Sequence, residues 1–182
     1  MIINRFYNLM ITLVAGTVLV SCIEINGSGY SSLSELDKKH IRSCSCLLDS
    51  VKNDGNLYKV TVNQVKDFIR RNDKVLVYEY LPFCSGENGR SPAEIKQICD
   101  QKNIRLIVVS SVYDGIFPIS STNTFPLFVI DNSVYHTDNY QTYGEKFYKD
   151  LTGSDEEKRK VNSYHYFQKG KYIRSYSTIF DF

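Results

Sequence analysis

The hydrophobic positions fall into registers that change from helical to extended along the chain. From Thr61 onward, Val62, Val65, Phe68 and Ile69 recur at helical spacing and define one apolar face. Thr61 and Gln64 have the capping-box spacing at its start, and Arg70-Arg71-Asn72 places basic charge in the last turn, where the helix dipole favours it. Val75-Leu76-Val77-Tyr78-Glu79-Tyr80 and Ile104-Arg105-Leu106-Ile107-Val108-Val109 are nearly continuous β-prone runs. Between them, Ser91 as N-cap, Pro92 at the first helical position and Glu94 at the third predict a helix running to about Lys102. Strand, helix and strand at this length make a βαβ unit with parallel strands.

The flanking segments are shorter. Ser32 with Glu35 repeats the capping-box pattern, and Leu33, Leu36, His40 and Ile41 predict a short helix ending near Ser43. Asp54-Gly55 is a turn signal ahead of a strand over Leu57 to Val60. After a polar loop, Phe125-Pro126 leads into a strand over Leu127 to Asp131, and Asn132-Ser133 predicts a turn into Val134 to Thr137, an antiparallel hairpin. A helix is expected from about Gly144 to Leu151. Asp155 to Lys160, acidic at its start and basic at its end, reads as a solvated helix. Tyr164 to Phe182 alternates aromatic and basic residues around Gln168-Lys169-Gly170-Lys171, a hairpin signal, and is expected to cover the core.

Composition narrows the partners. The 182 residues are 42% apolar and 23% charged, an ordinary globular balance, and the net charge of +2 gives no support to nucleic acid as a partner. The first residues are different in kind. Arg5 is the only charge ahead of an apolar run from Leu9 to Val20, too short for a comfortable membrane span, and Leu19-Val20-Ser21-Cys22 stands where cleavage of a signal peptide falls. Leu-x-Ser-Cys resembles the lipobox of bacterial lipoproteins. That resemblance implies a signal peptide over 1–21, lipidation of Cys22 with palmitate-type chains, and a membrane-anchored protein of the cell envelope. In a diderm, it implies the outer membrane facing the periplasm. Residues 22–32, rich in Gly and Ser, read as the lipidated tether, leaving one domain over 33–182.

Export makes disulfides possible among the remaining cysteines, Cys44, Cys46, Cys84 and Cys99, and the sequence does not choose among their pairings. The one-residue spacing of Cys44-Ser45-Cys46 does not suit a structural zinc site, and no metal or cofactor is expected. His40, His136 and His165 are scattered singly, without ligand spacing. Cys99 falls beside Ile95 and Ile98 on the buried face of the predicted helix. Cys84 follows the first long strand, and on a formed helix from Pro92 it lies about 10 Å or more from Cys99, beyond disulfide reach.

The element order, with Cys84 after a long strand, Pro92 eight residues later and Thr124-Phe125-Pro126 opening a later strand, resembles the thioredoxin family over about residues 57–152. The resemblance implies an α/β fold, a three-layer α/β/α sandwich with a βαβ unit followed by a ββα unit, here with an added N-terminal helix and C-terminal β hairpin. It also implies Cys84 as the catalytic thiol, a cis-proline at Pro126, and a substrate groove shaped by Phe83, Glu87, Phe125 and Pro126. The motif departs from the family pattern. Cys84-Ser85-Gly86-Glu87 has a carboxylate where the resolving cysteine belongs, Tyr78 stands where the family buries an acid, and Glu79 points to the other face of its strand. The Glu87 charge is expected to raise the Cys84 pKa and Arg90 to oppose it.

Two functions follow as expectations. One is a membrane-anchored thiol protein acting in the thiol-disulfide redox chemistry of exported proteins through Cys84. The other is a catalytically degenerate thioredoxin-fold lipoprotein that binds an exported protein or peptide partner. For the remaining cysteines, a Cys44-Ser45-Cys46 dithiol with a small, strained ring and a structural disulfide between Cys84 and Cys44 or Cys46 both stay open.

Overall fold

The computed structural model describes residues 29–153 and 163–181. The expected signal peptide, Cys22, most of the expected tether and the helix expected over Asp155 to Lys160 lie outside the described residues. The chain in view builds an α/β architecture. In chain order the elements are α1 (Glu35–Lys38), β1 (Ile41–Ser43), β2 (Leu57–Val60), α2 (Val62–Arg71), β3 (Lys74–Glu79), α3 (Pro92–Gln101) and β4 (Arg105–Ser110). They continue with α4 (Phe117–Thr122), β5 (Phe128–Ile130), α5 (Tyr140–Thr152), β6 (Tyr164–Gln168) and β7 (Lys171–Tyr176). One seven-stranded sheet has the order β1-β2-β5-β4-β3-β6-β7, parallel from β1 through β3 and antiparallel at β6 and β7.

The sheet is covered on both faces, and β3 shows why its sequence is almost unbroken in hydrophobes. Val75, Leu76, Val77 and Tyr78 are all buried. Strand alternation sends Val75 and Val77 to the face covered by α2 and α5, where Val65, Phe68, Phe147 and Tyr148 complete one core. Leu76 and Tyr78 face the other way, toward Ile95 and Cys99 of α3 and Ile116 at the start of α4. At about 1.5–3 kcal/mol for each large apolar side chain buried, these two layers hold the molecule together.

The predicted βαβ unit is present as β3-α3-β4, in parallel register from Val75 opposite Arg105 to Glu79 opposite Val109. The capping box at Thr61 and Gln64 closes in both directions, while Ser91 contributes no side-chain cap and Pro92, with Glu94 in the first turn, marks the start of α3. The C-terminal hairpin forms, but it extends the sheet along β3 and adds no separate layer.

Three expectations are corrected. The helix predicted to end near Ser43 shrinks to the single turn α1, capped by Ser34, and Ile41 enters β1 beside β2. No hairpin follows β5. The Asp131 side chain accepts from the Ser133 N–H, which winds Asn132–Tyr135 into a 3-10 turn, and His136 then takes a left-handed conformation. β5 itself is an interior parallel strand between β2 and β4. The peptide bonds of the described residues, Phe125-Pro126 included, are all trans, so the expected cis-proline is absent. Two helices also differ in extent: α4 forms within the stretch read as a polar loop, and α5 starts earlier, at Tyr140, because Asn139 caps it.

Candidate functional site

The carboxyl end of β3 carries a long loop, Tyr80 to Ser91, and Cys84 sits in it. The loop is tied down rather than loose. Leu81 N–H donates to the Asn88 carbonyl at 2.7 Å, and Cys84 N–H donates to the Leu81 carbonyl at 3.0 Å. Gly89 passes so close that a Cβ there would lie 1.7 Å from the Cys84 carbonyl oxygen. Beneath the loop, Tyr78 and Tyr164 stack at 4.9 Å and both reach up: the Tyr78 hydroxyl donates to the carbonyls of Glu87 and Arg90, and Tyr164 donates to Glu87.

Glu87 therefore has a different role from the one expected. Its carboxylate accepts from Arg90 at 2.7 Å, from Tyr164 at 2.9 Å and from the Ile179 N–H at 3.2 Å, which fastens the loop to the C-terminal segment. Burial alone would raise its pKa, but these hydrogen bonds outweigh burial and hold it below the usual carboxylate value. Arg90 is likewise committed, to Glu87 and Glu94, and lies over the Phe180 ring. Neither charge sets the state of Cys84.

The charge that bears on it is that of Glu79, the last residue of β3, and it comes second to burial. The Cys84 thiol is raised above its ordinary value by burial first and then by the negative charge of Glu79. The Ser111 hydroxyl donates to one Glu79 carboxylate oxygen at 3.4 Å, while the other lies 3.9 Å from Nε2 of His165. His165 arrives on β6, directly opposite Val77, and its side chain is wholly buried against the Tyr148 ring. Its Nδ1 pairs with the Ser175 hydroxyl at 2.7 Å, but Nε2 has no hydrogen-bond partner. An unpaired polar nitrogen in a core is costly, and here it faces a carboxylate beside a thiol. Gly144 allows this packing, because a Cβ there would stand 2.8 Å from the Ser111 hydroxyl.

The other residues singled out in the sequence disperse. Phe83 stays beside Cys84, 38% exposed, with its ring edge-on to Tyr140. Phe125 and Pro126 do not join it: they line a 150 Å³ cleft with Phe68, Lys96 and Arg105, at the amino-terminal half of β4. A groove shared by Cys84 and Pro126 is not formed. Cys44 and Cys46 follow β1 at the far edge of the sheet, four strands from β3. At about 4.8 Å per strand, that is about 19 Å from the Cys84 loop, far outside disulfide reach. The expected Cys84 staple is therefore excluded. Cys99 is a core residue with 0% exposure, its thiol pushed up to about 12 by burial. Among the described residues, no group of three or more His, Cys, Asp or Glu side chains could hold a metal ion.

Glu79 and His165 were not selected as site residues by sequence reasoning. Each carried a signal: Glu79 is a carboxylate closing an apolar strand five residues before a cysteine, and His165 is enclosed in the aromatic run Tyr164 to Phe167. The arrangement places a half-buried thiol, disfavoured from ionising by burial and by the Glu79 charge, near a buried imidazole nitrogen without a hydrogen-bond partner, so attack of the sulfur on a disulfide strengthens as pH rises. No protein-family model, no curated protein and no solved structure matches the chain.

Two outcomes follow from this geometry. Alkylation of Cys84 against pH, followed by peptide mass mapping, places its midpoint above that of an ordinary thiol, and Glu79→Gln moves the midpoint down and raises the rate at pH 7 by removing the negative charge. A midpoint unchanged or raised in Glu79→Gln contradicts the assignment. Gly89→Ala forces the Cys84 carbonyl aside and lowers stability by about 1–3 kcal/mol in chemical denaturation.

Proposed function

We propose that the protein is a membrane-anchored thiol protein of the bacterial cell envelope that forms mixed disulfides with exported proteins or peptides through Cys84. The observation that carries this reading is the Cys84–Glu79–His165 grouping, in which the buried His165 Nε2 lacks a partner and is aimed at Glu79. Buried polar groups of this kind are often replaced by apolar residues without loss of stability, so packing alone gives no reason for them.

The chemistry is that of a single thiol. Cys84 gives up its proton to solvent, the thiolate attacks one sulfur of a substrate disulfide, a Cys84–substrate disulfide forms, and the substrate's second sulfur leaves as a thiolate that takes up a proton in turn. Cys99 is buried and Cys44 and Cys46 are remote, so an external thiol completes the exchange. Because a thiol of raised pKa is a poor leaving group, Cys84 is expelled slowly, and the mixed disulfide is long-lived. That same property favours, as a second reading, a protein that holds a partner over one that turns substrate over rapidly.

Within this proposal the fold is a variant of the thioredoxin plan. Supporting it are β3-α3-β4 with Cys84 after β3 and Pro92 opening α3, α2 and α5 together on one face, and an antiparallel strand pair beside β3. The variant inserts α4 and β5, and takes its antiparallel hairpin from β6 and β7 rather than from residues after Pro126. The Leu19 to Cys22 lipobox supports the anchor.

Release of glutathione from a glutathionylated peptide, driven by excess reduced glutathione and catalysed by the full chain carrying Cys44→Ser and Cys46→Ser, tests the chemistry. The rate rises with pH and falls about tenfold or more in Cys84→Ser; an unaffected rate in Cys84→Ser overturns it. Labelled fatty acid is incorporated in cells by the full chain and not by Cys22→Ala, and equal labelling of both refutes the anchor.

A further inference from the structure

One pair of thiols plays no part in this chemistry. Cys44 follows the edge strand β1 directly and Cys46 comes after one further residue, with their sulfurs 3.6 Å apart. The two differ in environment. Cys44 is buried against Leu48 and Val60 in the first core, and Cys46 is exposed.

The turn that carries them is held from outside. Cys44 N–H donates to the Lys59 carbonyl at 3.4 Å, and the Gln64 side-chain amide donates to the Cys44 carbonyl at 2.5 Å. Gln64 is also the returning arm of the α2 capping box, so the helix start and the cysteine turn are fixed by one residue. The Cys44 thiol donates to the Cys46 carbonyl at 3.4 Å, curling the turn on itself. Bond formation then requires the sulfurs to close from 3.6 Å to about 2.05 Å. A disulfide spanning a single residue is strained, and strained or exposed disulfides are the readily reduced ones.

We propose that Cys44-Ser45-Cys46 is a second, separate redox site that exchanges with low-molecular-weight disulfides, Cys46 attacking and Cys44 resolving. The exposed Cys46 thiolate attacks oxidised glutathione, a Cys46–glutathione disulfide forms, and one glutathione thiolate leaves. Cys44, deprotonated, then attacks the Cys46 sulfur, the Cys44–Cys46 disulfide forms, and the second glutathione thiolate leaves. Two electrons pass from the pair to oxidised glutathione, which becomes two molecules of reduced glutathione, the two thiol protons balancing them. Buried but within contact distance of Cys46, Cys44 is suited to this second step and not to the first.

The experiment uses the full chain carrying Cys84→Ser, so that its outcome is independent of the Cys84 reading. The reduced protein is exposed to oxidised glutathione, quenched with acid, alkylated and mapped by mass spectrometry. The peptide containing both cysteines is expected to lose two hydrogens and carry no glutathione, and an excess of reduced glutathione restores the dithiol. Removing the resolving thiol with Cys44→Ser leaves glutathione on Cys46, at a level about tenfold or more above that of the intact pair. Cys46→Ser, a change at an exposed position, leaves Cys44 unmodified and covers the case in which Cys44→Ser fails to fold. A pair that stays dithiol, an adduct that persists on Cys46 with Cys44 present, or modification of Cys44 in Cys46→Ser each overturns the proposal, and none of them bears on Cys84.

Discussion

The pairing of β3 with the returning strand β6 is the constraint on which the site depends. Antiparallel register sets Tyr164 opposite Tyr78 and His165 opposite Val77, and the Glu79 N–H donates to the Ser163 carbonyl. Alternation then divides the labour between the two faces of the sheet. On the α3 side, the Tyr78–Tyr164 stack raises two hydroxyls into the Cys84 loop. On the α5 side, His165 is pressed between Tyr148 and Glu79. A slip of one residue would exchange these sets and leave the loop without its tyrosine supports.

This division separates two carboxylates that stand close together in sequence. Glu87 is neutralised by Arg90 and bound by Tyr164 and the Ile179 N–H, so its charge is absorbed in holding the loop. Glu79 receives one long hydrogen bond from Ser111 and faces an unpartnered imidazole nitrogen, so its charge remains available to act on Cys84. Cys84 also stands well ahead of α3, which begins at Pro92, and gains nothing from that helix dipole. Burial first, and then a carboxylate, raise the thiol above its ordinary value.

Much of the scaffold was legible because local and tertiary preferences agree there. The apolar run of β3, the Pro92 start of α3, the Thr61–Gln64 box and the Gln168 to Lys171 turn each combine a strong local signal with the burial they meet. Where they compete, local reading failed. Asn132-Ser133 has turn chemistry, but Asn132 is buried, donating to Asp138 and accepting from Tyr113, and the chain leaves the sheet instead of folding back on it. The site was half legible. Cys84 was visible from its place after a strand. Glu79 closes the strand just before it, but His165 comes from the distant β6, and only the β3–β6 register brings it to Glu79.

The most direct measurement is capture of the mixed disulfide. The full chain with Cys44→Ser and Cys46→Ser is mixed with a small peptide disulfide, quenched in acid and mapped by mass spectrometry. If Cys84 is the working thiol, the peptide is carried on Cys84 and not on Cys99, the captured fraction grows as pH rises, and added thiol releases it. A chain that retains its fold and carries no peptide on Cys84 at any pH would contradict the thiol role and leave the Glu79–His165 pair without the partner assigned to it.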